Sequence, residues 1–531
     1  MVGSSDRGAA RAIAGARQLH PGDFHFHGFG ELRRDELRKL LRLGIRSGEP
    51  EVSGVDDAVF IPSTTATGNG QPKYAGGMVR PDGRPIDAAS MQRKGGKRFG
   101  GIAEPISADP VQEIDEDVVY LGLLFNHYGR VLLESLARVW YLDRIDPAVK
   151  IVFNTANAAQ GGFAPWLPEI LSLFGIPPQR VLTLDVPTRL RRAFVPEPLF
   201  EQFYSAHQEM ARPFRDAAER VAGDVTPSGQ PLYLSRRRLS SRQRPVIGEA
   251  ELEDLLRQNG FRILYPETMS IVDQVRAING HADIVSPLGS AAHTILFARQ
   301  RPRLHVLASR DDIPANYFLC SALADAPTTF VNCLGGGGRV TANDERINRR
   351  AESFENEDKR RPVDLDAGPQ SMPQLLDVPV AVDYLAERGL LRRPIAHRDE
   401  ASDTALREQF DEAWLYARVR KASTKSTLPE AVAAEATDRA QTSWPLSLML
   451  ARYYARAKDA ARTDLMANQF AALAEAEANA ERLAYYRGDV GGLIGRIARM
   501  CRPATVDRLN AVVAARFPVG SGDANGPEPL D

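Results

Sequence analysis

Residues 231–297 read PLYLSRRRLSSRQRPVIGEAELEDLLRQNGFRILYPETMSIVDQVRAINGHADIVSPLGSAAHTILF, and the punctuation of this stretch decides the fold. Pro231-Leu-Tyr-Leu-Ser has a strand pattern, while Glu249 to Gln258 has helical apolar spacing closed by the stop signal Asn259-Gly260. Phe261-Arg-Ile-Leu-Tyr is a second strand, Ser270 to Gly280 a helix, and Ala282-Asp-Ile-Val-Ser a third strand. Gly289 to Phe297 follows as a short helix and Arg303-Leu-His-Val-Leu as a fourth strand. Four short strands separated by three helices predict a doubly wound α/β unit.

Upstream the rhythm is similar. Val118-Val-Tyr-Leu-Gly-Leu, Lys150-Ile-Val-Phe-Asn and Arg180-Val-Leu-Thr-Leu read as strands, with helices expected over Gly129 to Leu142 and Trp166 to Phe174. A parallel sheet with crossover helices is the expectation, hence two Rossmann-like domains in tandem. The Gly-, Pro-, Asp- and Lys-rich stretch from Ser63 to Gly101 predicts a long loop or irregular hairpin. The predicted boundaries are a disordered N-terminus over 1–20, a first Rossmann-like domain over 21–222 carrying that 63–101 insertion, and a second over 223–340. A charged linker over 341–399, an α-helical, tetratricopeptide-like region over 400–518 and a disordered tail over 519–531 follow.

Composition narrows the function. With 67 Lys+Arg against 68 Asp+Glu the net charge is −1, which gives no support to a nucleic-acid-binding surface. Cys320, Cys333 and Cys501 make neither a metal-ligand spacing nor an even disulfide set, which suits a reducing compartment. No apolar run is long enough to span a bilayer, and the first twenty residues lack the apolar centre of a secretory signal. A cytoplasmic chain, free or peripheral to a membrane, is expected.

Ligands of a doubly wound sheet bind beyond the carboxyl ends of its strands. That rule selects the loops Ser235 to Gly248, with Arg236, Arg237, Arg238, Arg242 and Arg244; Pro266 to Met269, with Glu267; and Ser286 to Ser290. Arginine forks match phosphate oxygens, and free N–H groups at the Gly289–Ser290 helix start favour an anion. A nucleotide diphosphate fits these loops.

These residues also resemble a known family. Tyr233-Leu-Ser-Arg-Arg, Arg244, Glu249, Pro266-Glu267, Gln274-Val275 and Pro287-Leu-Gly-Ser-Ala-Ala-His-Thr-Ile-Leu-Phe look like the signature of glycosyltransferase family 61. Asn126-His-Tyr-Gly-Arg-Val-Leu-Leu-Glu-Ser-Leu-Ala-Arg-Val-Trp is similar to its other motif. The resemblance covers roughly residues 115 to 310. It implies a GT-B fold of two facing Rossmann-like domains, acceptor-side then donor-side. It further implies inverting, metal-independent transfer of a hexosyl or pentosyl group from a nucleotide sugar to a glycan or other hydroxyl acceptor, with no cofactor beyond that co-substrate. Members include enzymes of capsular and other surface polysaccharides. Two positions depart from the family pattern, Arg130 and Leu288 standing where histidine is often found, while Gly289-Ser-Ala-Ala-His-Thr is close to a variant form that supplies His293.

The resemblance makes Glu134 the acidic candidate for the catalytic base, and His127, in the loop just before that helix, is the other candidate because histidine suits proton transfer; Asn126 and Arg130 fall on the acceptor side. The resemblance assigns the donor to Arg236, Arg237, Arg244, Glu267, Gly289, Ser290, His293 and Thr294. Each has a plainer reading. Arg130, Glu134 and Arg138 could be an i,i+4 charge ladder on an exposed helix face. His127 and His293 could pack near helix starts, Glu267 could be a loop carboxylate, and the arginine run a solvated basic loop. At the level of function the rivals are a non-catalytic nucleotide-sugar-binding or scaffold protein, recruiting a protein partner through its helical C-terminal region, and a nucleotide-sugar epimerase.

Overall fold

Val118-Val-Tyr-Leu-Gly-Leu-Leu-Phe shows no alternation of apolar and polar residues, the pattern of a strand covered on both faces. In the computed structural model it is the buried end of the strand Gln112–Leu124. The structure describes residues 16–65, 74–93, 97–107, 109–155, 164–239, 246–309, 313–334, 374–392, 400–423 and 428–517. It divides into two compact units, one made of Met1–Leu234, Met269–Leu307 and Asp312–Asn332, the other of Ser235–Thr268, Ala308–Asp311 and Cys333–Asp531. The architecture is mixed α/β.

In the first unit an eight-stranded sheet runs in the order Val181–Leu182, Lys150–Thr155, Gln112–Leu124, Thr188–Pro196, Val52–Thr65, Tyr74–Val79, Lys97–Gly100, Met91–Arg93. Gln112–Leu124 is parallel to both neighbours, with Val119 opposite Ile151 and Ala193 opposite Val118. Beyond Thr188–Pro196 the pairings are antiparallel, Ala193 with Val55 and Val59 with Val79, except that Tyr74–Val79 meets Lys97–Gly100 in parallel. The sheet is therefore mixed rather than purely parallel. The described part of Ser63 to Gly101 supplies three of its strands where a long loop or irregular hairpin was expected. Tyr74, Met78 and Val79 are buried there, so a few apolar residues suffice to anchor a Gly-rich strand.

Five further strands of this unit lie side by side in the order Leu232–Leu234, Asp283–Pro287, Arg303–Ala308, Thr328–Asn332, Phe24–His27. They pair in parallel, with Leu232 opposite Ile284, Ile284 opposite Leu304 and Thr328 opposite Phe24. The last of them comes from the far N-terminus. Phe26 stacks on Phe330 at 5.9 Å between ring centroids and Phe24 lies 5.2 Å from Phe318, which pins the strand by apolar burial. Residues 16–18, placed in a disordered terminus by composition, form a short strand antiparallel to Gly44–Arg46.

The expected helix from Gly129 to Leu142 is broken. One α-turn over Tyr128–Arg130 gives way to a π-helical turn over Val131–Ser135 and a 3-10 helix over Val139–Arg144. Other segments take the carbonyls that a continuous helix would use. Leu199 N–H donates to Ala137 O at 2.8 Å, and Arg212 donates to Trp140 O at 3.1 Å. Apolar spacing cannot register such competition.

In the second unit the helix Glu249–Gln258 ends at Asn259-Gly260 as expected, Gly260 having φ +84°. Val246–Ile247 pairs in parallel with Gln374–Leu375, within the expected linker. The helices Glu400–Ala422, Glu430–Arg439, Trp444–Arg456, Ala460–Ala476, Ala480–Ala498 and Pro503–Arg516 enclose a core around Trp444, Phe470 and Leu509. Trp444–Arg456 and Ala460–Ala476 are consecutive helices, with Ser443 and Asp459 capping their N-termini. Residues 1–15, 335–373, 393–399 and 519–531, covering the rest of the predicted ends and linker, lie outside the described residues.

Candidate active site

The first unit brings the two motif segments together. A Cβ on Gly129 would sit 2.9 Å from Ser290 Cβ and 3.6 Å from ring carbons of both His127 and His293. Only a residue without a side chain lets the Tyr128–Arg130 turn approach the Ser290–Phe297 helix so closely. Tyr128 Oη lies 2.8 Å from Thr294 Oγ1, a hydrogen bond between residues 166 apart in the chain. Burial raises the Tyr128 phenol, so it stays a neutral donor or acceptor.

His293 is 7% exposed, and among the described residues its Nδ1 is buried without a hydrogen-bond partner. Burial pulls its imidazole down to about 4, and the charge of nearby His127 acts in the same direction. His293 is therefore neutral at physiological pH, with a polar atom left for a ligand. Its ring packs against Tyr317 at 4.9 Å between centroids. The Tyr317 hydroxyl accepts from Gly289 N–H and donates to Gly289 O at 2.9 Å. Gly289 thus has its own peptide groups engaged, and the first N–H groups of the helix, those of Ser290 and Ala291, are the ones with no intrahelical acceptor. His127 is exposed, and its Nδ1 accepts from Arg130 N–H at 3.4 Å as the cap of the turn. Asn126 Oδ1 accepts from Ala164 N–H at 2.8 Å.

Glu134 has a different environment. Its side chain is 2% exposed, and both oxygens are held by guanidinium groups. Arg93 Nε donates to Oε1 and Arg93 Nη2 to Oε2, each at 2.8 Å, while Arg130 Nε donates to Oε2 at 2.8 Å. Arg130 lies over the Phe125 ring at 3.4 Å and Arg93 over Phe99 at 3.5 Å. Burial lowers the Arg93 guanidinium, which Glu134 opposes. The exposed ladder is thereby corrected. The Arg130–Glu134 contact exists but is buried, and Arg138 turns away to the carbonyls of Pro196 and Ser90, each at 2.9 Å. Gly122, at φ +88°, makes room for that guanidinium.

The second unit carries the arginine loop. Arg236 N–H donates to Glu249 Oε1 at 2.8 Å, and Arg237 N–H to Ser235 Oγ at 3.0 Å. The fully buried Glu253 accepts from Tyr265 Oη at 2.7 Å and from Ser235 Oγ, with Arg237 Nη1 at 3.5 Å. Arg238 stacks over Tyr265 at 4.0 Å. Arg236 is the one of the three whose Nε is buried without a hydrogen-bond partner among the described residues. Glu267 stands on the turn Pro266–Thr268, its carboxyl raised by desolvation against the opposing charges of Arg236 and Arg238. Arg242 and Arg244 lie outside the described residues. Among the described residues no three His, Cys, Asp or Glu side chains are grouped to hold a metal ion.

Sequence reasoning missed Arg93, Tyr128 and Tyr317. Arg93 and Tyr317 carry no motif signal, since each reaches the site only through the tertiary fold. Tyr128 stood within the first motif, and its side chain makes the hydrogen bond between the two motif segments.

The two motif segments of this α/β chain are thus in contact. The family model described as Glycosyltransferase 61 matches residues 128–304, and this stretch belongs to glycosyltransferase family 61. The match contains every expected site residue except Asn126 and His127, which immediately precede it. No curated protein matches the chain.

Proposed function

We propose that the protein is an inverting, metal-independent glycosyltransferase of GT-B type. It moves a hexosyl or pentosyl group from a nucleotide sugar to a hydroxyl of a glycan or other acceptor, in surface polysaccharide synthesis in the cytoplasm. Among the described residues no helix is long and apolar enough to cross a membrane. The observation that carries this reading is the meeting of His127, Tyr128 and Gly129 with Ser290, His293 and Thr294.

In the proposed reaction His127 takes the acceptor O–H proton while that oxygen bonds to the anomeric carbon. The bond from this carbon to the diphosphate breaks, and the leaving oxygen keeps its electron pair. An exposed imidazole suits this role better than Glu134, whose lone pairs are held by two guanidinium groups. Glu134 is then a positioning residue, fixing Arg130 and the turn that carries His127. Arg236, with its unmatched Nε, has the chemistry to hold a diphosphate.

The test is a screen of nucleotide sugars with glycan acceptors, read by NMR for the anomer formed. Transfer with inversion, insensitive to EDTA, is expected. His127→Asn should lower kcat by about 10²- to 10⁴-fold at similar KM. Absence of both transfer and slow donor hydrolysis across the screen would count against the reading. The occupied carboxylate of Glu134 favours one alternative, a donor-binding protein without transfer, which would show nucleotide-sugar binding and no turnover.

A further inference from the structure

The helix Glu31–Lys39 and the turn after it carry Arg34, Arg38 and Arg42 at successive i,i+4 positions. Like charges at that spacing repel and weaken a helix. All three line one side of a cavity of about 840 Å³, and Arg17, His20 and His25 line it as well. No carboxylate is among its lining residues. Arg38 keeps a 3.0 Å ion pair with Asp35, and His20 lies 4.0 Å from Asp23. Arg34 Nε is buried and has no hydrogen-bond partner among the described residues. Phe24 and Leu41, both buried, supply an apolar floor.

Four guanidinium groups around one cavity call for an anion with several oxygens. Guanidinium forks bind phosphate oxygens in pairs, and two linked phosphates present such oxygens on adjacent centres. The volume falls in the range of roughly 300–1,000 Å³ typical of small-molecule sites and exceeds what a bare phosphate needs. The apolar floor leaves room for a group attached to the anion. We propose that this cavity is a binding site for a diphosphate-bearing ligand, separate from the Tyr128–His293 cluster and from the Arg236 loop.

The full chain bearing Arg236→Ala, which removes the other candidate phosphate site, is titrated with inorganic pyrophosphate by calorimetry. Binding is expected, and adding Arg34→Gln and Arg42→Gln should weaken it about a hundredfold, since each lost charge-assisted bond is worth about a factor of ten. Arg38→Gln alone should weaken it less, and provides a second reading if the double substitution lowers the unfolding temperature. Uridine diphosphate and farnesyl diphosphate then separate the two sources of the group. Tighter binding of the first assigns a nucleotide and tighter binding of the second a lipid, and either supports the site. No pyrophosphate binding in the Arg236→Ala protein, or binding unchanged by the arginine substitutions in the cavity, overturns it.

Discussion

Two buried glutamates, one in each unit, are satisfied in different ways. Among the described residues Glu134 accepts from guanidinium groups, those of Arg93 and Arg130. Glu253 accepts mainly from hydroxyls, Tyr265 Oη and Ser235 Oγ, with arginines further off at 3.4–3.5 Å. Nearby Glu249 accepts from the backbone N–H of Arg236 at 2.8 Å. In the second arrangement Arg236 Nε is buried without a hydrogen-bond partner among the described residues. The first ties both of its arginines to Glu134, with Arg130 Nη2 also buried and without a hydrogen-bond partner among the described residues. An arginine beside a buried carboxylate is thus no guide to binding until its partners are counted.

The largest test of this contrast is Glu134→Ala, which strands two largely buried guanidinium groups. It should lower stability by about 3–5 kcal/mol in urea unfolding. A loss below about 1 kcal/mol together with abolished transfer would make Glu134 a chemical group instead. Gly129→Ala should cost about 1–3 kcal/mol by overpacking against Ser290 and reduce activity in parallel. Full activity in that variant would show that the close approach of the motif segments is dispensable.

Asp283 offers a third carboxylate for comparison. Burial would raise it, but hydrogen bonds from His305 and Arg303 outweigh burial and hold it at about 2. Its folded value lies below the unfolded one, so its contribution is complete above about pH 4 and is lost as pH falls through about 2. The shift corresponds to about 2 kcal/mol, and Asp283→Asn should flatten the acid limb of the stability curve by that amount. The smallest effect on folding is expected for Arg236→Ala, with stability within about 0.5 kcal/mol of the parent and nucleoside diphosphate affinity down about tenfold. Unchanged affinity would remove Arg236 from the donor site.

Elements ended by local signals were legible in the sequence. Asn259-Gly260 stops its helix, Ser270 caps the next by accepting from Asp273 N–H, and the buried run from Val118 is the strand it was read to be. The segment after Gly129 was not legible, because its helical bonds compete with Leu199 and Arg212, residues distant in sequence. The antiparallel half of the large sheet was hidden in the same way, since its Gly-rich strands have little propensity of their own and are held by neighbours.

Apart from the short strand Val246–Ile247, the sequence by itself determined the order of strands and helices from Pro231 to Phe297, the two motifs and their family, because these depend on local periodicity and residue identity. Tertiary structure alone decided that Phe24–His27 lies beside Thr328–Asn332, that Glu134 is clasped by Arg93, and that Gly129 touches Ser290. Each of those joins residues far apart in the chain, and such contacts are selected by packing and by the need to pair buried polar groups. No local pattern records either requirement.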